Sequence, residues 1–146
     1  MTTTFAPLAR GSALRETLAR HVLVADGAMG TMLQDADVSL ADFEDYEGCN
    51  EILNVTRPDI VAEVHDAYLS VGVDCIETNT FGANLANLAE YGIENRIYEL
   101  AYAGARIART QADIWSTPEH PRFVLGAMGP GTRLPTLGHI AFAELR

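Results

Sequence analysis

Lysine is absent from this chain of 146 residues, and its ten basic residues, all arginines, face 20 aspartates and glutamates. The net charge of −10 would repel a polyanionic backbone, which argues against nucleic acid as a partner. Cysteine is scarce. Cys49 and Cys75 stand 26 residues apart with no CxxC spacing and no Cys/His cluster, so neither a disulfide framework nor a closed zinc site is expected. Both read as reduced thiols. No apolar run approaches the roughly 18 residues of a membrane helix, and the start MTTTFAPLARGSALRE lacks a basic stretch followed by an apolar one. The expected location is cytoplasmic, with no membrane partner.

The chain does have apolar residues, at 48%, and enough length for one globular domain with a sizeable core. Its acidity is uneven: Asp26, Asp35, Asp37, Asp42, Glu44, Asp45, Glu47 and Glu51 fall between Arg20 and Arg57 with no base among them. Such a run is either a solvated loop face or the complement of a cationic group.

Three short apolar runs, 21–25, 73–76 and 123–127, read as buried strands because they are rich in β-branched residues and end in polar or glycine-containing turns. Helical patterns separate them. Over 56–71, Pro58 suits a first turn, Ile60, Val64, Tyr68 and Val71 recur at helical spacing, and Gly72 supplies a stop. A short pattern over 85–89 and a longer one over 95–114, with Ile97, Leu100, Ala101, Ile107 and Ala108 as its stripe, make the second crossover. The order β-α-β-α implies a parallel sheet, doubly wound or closed into an eight-stranded barrel, with function at the C-terminal strand ends. Only three strands appear where a closed barrel needs eight in roughly 250 residues, so the chain reads as truncated before closure.

Alternation along the first strand places Val22, Val24 and Asp26 on one face; along the second it aligns Val73, Cys75, Glu77 and Asn79. Asp26 and Glu77 are thereby expected to converge at one mouth. Asp26 is also a natural turn residue before Gly27, whereas a carboxylate ending an apolar strand, as Glu77 does, must be paired or solvated. The turns Asp-Gly-Ala-Met-Gly-Thr (26–31) and Gly-Ala-Met-Gly-Pro-Gly (126–131) offer backbone amides to an anion or are simply tight turns; neither matches a nucleotide-binding fingerprint. His21, His65, His120 and His139 lack metal-site spacing and read as structural or surface residues. Cys75 reads as a small apolar side chain turned inward, and Cys49 as a candidate for exposure.

The stretches VLVADGAMGTMLQ (22–34), EGCNEILNVTRPDIVAEVHDAYLSVGVDCIETNTFGAN (47–84) and RFVLGAMGPGTRLP (122–135) resemble the homocysteine S-methyltransferases. DGAMGT and ETNTF carry that resemblance, and GCNEILNVTRPDIV is similar to the cobalamin-dependent methionine synthase branch. The resemblance implies the N-terminal part, about three βα units, of a (β/α)8 TIM barrel that holds homocysteine at its mouth. Residues 1–20 would be a helical lead-in and residues 21–146 the partial barrel.

It further implies zinc on the substrate sulfur, methylcobalamin as methyl donor, and methyltetrahydrofolate bound by a later domain. On this pattern Asp26 contacts the homocysteine ammonium, the backbone of Gly27, Ala28 and Met29 receives its carboxylate, and Glu77, Asn79 and Thr80 line or support the pocket. The family's zinc ligands are cysteines on later strands, which Cys49 and Cys75 do not match. Hence no zinc or cobalamin is expected to bind this segment stoichiometrically, and by itself it is expected to be inactive and prone to self-association. Two further readings stay open: a barrel using betaine or S-methylmethionine as donor, and a non-catalytic scaffold domain.

Overall fold

The computed structural model describes residues 7–145. Their order is α1 (Pro7–Leu18), α2 (Met29–Asp35), α3 (Leu53–Thr56), α4 (Pro58–Ser70), β1 (Cys75–Glu77), α5 (Leu85–Glu90), α6 (Ile97–Trp115), β2 (Phe123–Leu125) and α7 (Phe142–Leu145), with short 3-10 turns between several of them. No described helix is long and apolar enough to cross a membrane.

The first crossover follows its punctuation. Pro58 opens α4 where its missing N–H costs nothing, Asp59 lies in the first turn, and Ile60, Val61, Val64 and Leu69 are buried along one stripe. Gly72 then takes φ +101, a left-handed conformation that stops the helix without steric penalty. His65 shares the buried stripe at 0% exposure, and neither ring nitrogen has a hydrogen-bond partner. Burial alone holds its pKa down to about 4.

In α6 the buried residues are Leu100, Gly104, Ala108 and Ala112, spaced every four positions. Three of the four are small, so α6 can come close to its neighbours along this line. Ala108 and Ala112 share a core cluster with Leu69 of α4, Ile76 of β1 and Val124 of β2, which places both long helices on one face of the sheet.

β1 and β2 pair in parallel with Cys75 opposite Phe123, Ile76 opposite Val124 and Glu77 opposite Leu125. On the other side of β1 the expected first strand, 21–25, is reduced to a single parallel bridge, Ala25 to Cys75. Its ladder is nonetheless in place: Asp74 N and Cys75 N donate to Val24 O at 2.8 and 3.1 Å, and Asp26 N donates to Cys75 O at 3.0 Å. The Asp74 carboxylate adds a clamp by accepting from Val24 N at 2.8 Å and contacting His120 Nε2 at 2.7 Å. An edge segment whose Val22 and Val24 are 91% and 55% exposed has little burial to fix a longer strand, which accounts for the shortfall. The three segments neighbour one another in sequence order with their helices on one face, the arrangement of a singly wound sheet rather than a doubly wound one.

Candidate functional site

All three strand segments end at one cleft of about 490 Å³. The first segment contributes Asp26, Gly27, Ala28 and Met29 to its wall; the end of β1 contributes Glu77, Thr78 and Asn79; and Ala127 follows β2. The expected convergence of Asp26 and Glu77 is therefore present, with a direct link: Asp26 Oδ1 accepts from Glu77 N at 2.9 Å. Partial burial raises the Asp26 pKa to about 6, against the lowering effect of that amide, and the Glu77 charge raises it further.

Beside Asp26 the chain turns sharply into α2. Ala28 is its N-cap at φ +46, ψ +33, a left-handed conformation unusual for a residue with a Cβ, and it makes no side-chain cap. Among the described residues the amides of Gly27 and Ala28 donate to nothing, and the opening amides of α2 have no intrahelical partner by construction. A half-buried carboxylate thus stands next to a turn of free N–H donors.

Asn79 departs from the alternation that placed it on Glu77's face. Regular β1 ends at Glu77, and Thr80 N turns back onto Thr78 O at 2.8 Å. The Asn79 side chain instead donates to Asn50 O at 2.9 Å and Asn54 Oδ1 at 3.0 Å. Asn54 Nδ2 returns to Asn79 O at 2.7 Å and also reaches Leu100 O on α6 at 3.1 Å. Asn79 touches the cleft while anchoring its floor to two helices. Thr80 lies outside the lining and supports it: its hydroxyl donates to Ala127 O at 2.8 Å and lies 2.6 Å from that of Thr78, which accepts from Ala127 N at 3.0 Å.

This network presses against α6. A Cβ at Gly104 would stand 2.7 Å from Asn54 Nδ2 and 2.9 Å from Thr80 Cγ2. Gly104→Ala gains about 1 kcal/mol of helix propensity. Overpacking and the disturbed Asn54 bonds cost more, and a net loss of about 2 kcal/mol is expected from chemical denaturation. A more stable variant would mean that Asn54 swings aside with its bonds intact.

Several lining residues carried no distinct sequence signal. Glu51, Glu90, Tyr91, Asn87, Phe81 and Thr132 come from three separate stretches. Glu51 belongs to the acidic run, yet it is buried at 8% exposure, with Oε1 accepting from Gly82 N at 2.6 Å. Glu90 Oε1 accepts from the Thr132 hydroxyl at 2.7 Å. Among the described residues no basic side chain lines the cleft, whose charged lining residues, Asp26, Glu51, Glu77 and Glu90, are all acidic.

The thiols do not make a metal centre. Cys49 is buried rather than exposed, and burial followed by the nearby Glu51 charge pushes its pKa up to about 11. Cys75 is buried too and its pKa is raised for the same primary reason. Among the described residues no group of three or more His, Cys, Asp and Glu side chains is placed to hold a metal. The donor set present here does not fit the zinc that the resemblance implies, since a zinc site needs at least three such ligands brought together and the described residues bring no such group.

Residues 23–146 match the model of the family described as homocysteine S-methyltransferase. Over 133 residues the chain is 56% identical to methionine synthase of Mycobacterium leprae (strain TN) and 54% identical to that of Mycobacterium tuberculosis (strain ATCC 25618 / H37Rv). In both cases 91% of this chain is covered, and it spans 11% of the length of the relative. Among solved structures, the homocysteine methyltransferase MmuM from Escherichia coli superposes with a TM-score of 0.64 in its metallated form and 0.62 in its oxidized form. Identity is 26% in each, and the match covers 80% of this chain and 41% or 40% of that one. With an α/β arrangement shared with a homocysteine methyltransferase and a family match across nearly all of its length, the chain belongs to the homocysteine S-methyltransferases.

Proposed function

We propose that this chain is the homocysteine-binding portion of a methionine synthase, forming the first βα units of a (β/α)8 barrel whose mouth is the cleft beside Asp26. The observation that carries this reading is the Asp26 carboxylate set next to the unpartnered amides of the 27–29 turn. An α-amino acid presents an ammonium and a carboxylate on one carbon. Asp26 takes the first by charge and hydrogen bonding; Gly27, Ala28 and Met29 take the second through backbone donors. Glu77 adds negative potential on the ammonium side, while Asn79 and Thr80 hold the loop that shapes the floor.

Asp26 is ionised at neutral pH, and an arriving ammonium compensates the partial desolvation that has raised its pKa. The acidic lining excludes phosphorylated or dicarboxylate ligands and accepts a zwitterion. The uncovered Val22 and Val24 fit inward positions of a barrel completed by residues outside this chain. Zinc, cobalamin and methyltetrahydrofolate, implied for the whole enzyme, are assigned to those other residues, and the part played here is substrate binding.

Calorimetric titration with L-homocysteine tests the reading. One-to-one binding is expected, and it should be lost both with N-acetyl-homocysteine, which lacks the ammonium, and with homocysteine methyl ester, which lacks the carboxylate. Equal binding of all three would remove Asp26 and the 27–29 turn from recognition.

A further inference from the structure

We propose that Glu51 is a positioning residue whose carboxylate sets the loop after β1, and through it the loop after β2, over the cleft. The inference rests on the homocysteine-site reading for its functional consequence, but its structural part stands alone. Glu51 is 8% exposed and makes no salt bridge among the described residues. Its polar partners are Gly82 N, at 2.6 Å from Oε1, and Cys49 Sγ, at 3.8 Å from Oε2. A carboxylate buried with one amide and one thiol is costly, and an apolar side chain would pack the same wall without that cost. What the carboxylate supplies is a short, charge-assisted tether to one backbone amide 31 positions away.

Gly82 is shaped for the tether. A Cβ there would stand 2.8 Å from Glu51 Oε1 and 3.0 Å from both Cδ and Oε2, so the carboxylate occupies the space that any other side chain would need and would have to shift to admit one. The neighbouring Phe81 continues the chain of contacts. Its ring is 60% exposed and lines the cleft, and its carbonyl accepts from Gly129 N at 2.9 Å. Gly129 is likewise held against Phe81, whose carbonyl and ring occupy the space a Cβ would need. One carboxylate on the 3-10 turn Asn50–Ile52 therefore fixes the Phe81–Gly82 backbone, and that backbone fixes the glycine-rich turn following β2. If the tether is cut, the Gly82 and Gly129 ends of the two loops loosen together, while the Thr78 and Thr80 hydroxyls still hold Ala127.

Three variants of the full chain separate the tether from the charge. In Glu51→Ala the acceptor is gone. In Glu51→Asp the charge stays but the side chain is one methylene too short to reach Gly82. In Glu51→Gln the charge is removed and an amide oxygen still accepts. Amide hydrogen exchange at Gly82 and Gly129 is the readout, with homocysteine affinity by calorimetry beside it. Glu51→Ala and Glu51→Asp are expected to accelerate exchange at both glycines by about tenfold or more, the factor of a lost charge-assisted hydrogen bond, and to weaken homocysteine by a similar factor. Glu51→Gln is expected to restore protection and affinity to within about threefold of the parent chain, as retention of the hydrogen bond predicts.

Exchange at Gly129 that stays at the parent rate in Glu51→Asp while Gly82 accelerates would overturn the coupling of the two loops. A Glu51→Gln variant as perturbed as Glu51→Ala would overturn the tether in favour of the charge. If Glu51→Ala fails to fold, the aspartate and glutamine variants still decide. A parent chain that does not bind homocysteine would count against the site reading alone, because the exchange readout does not depend on it.

Discussion

Burial of His65 is expected to cost the chain up to about 3 kcal/mol of stability between pH 6.5 and pH 4, and His65→Leu is expected to remove that loss, leaving the smaller, opposite trend that Asp26 gives over the same range. His65 is fully buried on α4 with both ring nitrogens unpartnered, and burial depresses its pKa from 6.5 to about 4. The unfolded chain therefore takes up a proton at a pH where the folded chain still refuses one. A depressed folded pKa means the contribution is complete above 6.5 and is lost as pH falls towards 4. The leucine variant should also be more stable near neutral pH, because it removes a neutral imidazole buried without hydrogen bonds. Parallel pH profiles for the two proteins would show that water or a flipped ring satisfies His65 and that its burial is not costly.

The same helix illustrates what could be read in advance. Pro58 and Gly72 bracket α4, and its apolar spacing marks the buried face, so the helix is legible from local punctuation. The run over 73–76 announces β1 because Val73 and Ile76 are β-branched and, with Cys75, buried. The run over 21–25 looks no different in composition, but it lies at the edge of the sheet with two exposed valines, and position in a sheet is not written in a five-residue window. Period-two alternation stops applying at Glu77, where the strand ends and the Asn79 side chain turns towards Asn50 and Asn54.

Within the site, Asp26, Gly27, Ala28, Met29 and Glu77 are legible because each lies at or directly after the end of an apolar run, where parallel sheets keep their chemistry. Glu51 is not. It sits in a run of acids that reads either as a solvated face or as the complement of a cationic group, and only the fold reveals that Gly82, far along the chain, donates to it. Asn54 and Gly104 are silent for the same reason: a buried amide and a close helix approach are long-range facts with no local periodic signature.

Asp26→Asn is expected to separate stability from recognition. The asparagine Oδ1 can still accept from Glu77 N, so the 2.9 Å link that joins the first segment to β1 survives while the charge disappears. Loss of a partly buried charge opposite the ligand ammonium should weaken homocysteine by at least about a hundredfold. The folded chain, by contrast, should become more stable at neutral pH. The folded pKa of Asp26 is raised from 3.8 to about 6, so its favourable contribution is complete below 3.8 and is lost as pH rises through 6. Above that pH the ionised carboxylate is a net cost that the amide does not carry, about 1 kcal/mol after allowance for the solvent that still reaches it. The stability difference between Asp26→Asn and the parent chain should therefore grow from pH 4 to pH 7, while the His65 contribution, common to both, cancels. A variant that binds homocysteine as the parent does would place the ammonium elsewhere in the cleft. One that is less stable at every pH would mean that the carboxylate, not just its oxygen, is needed to hold the strand ends together.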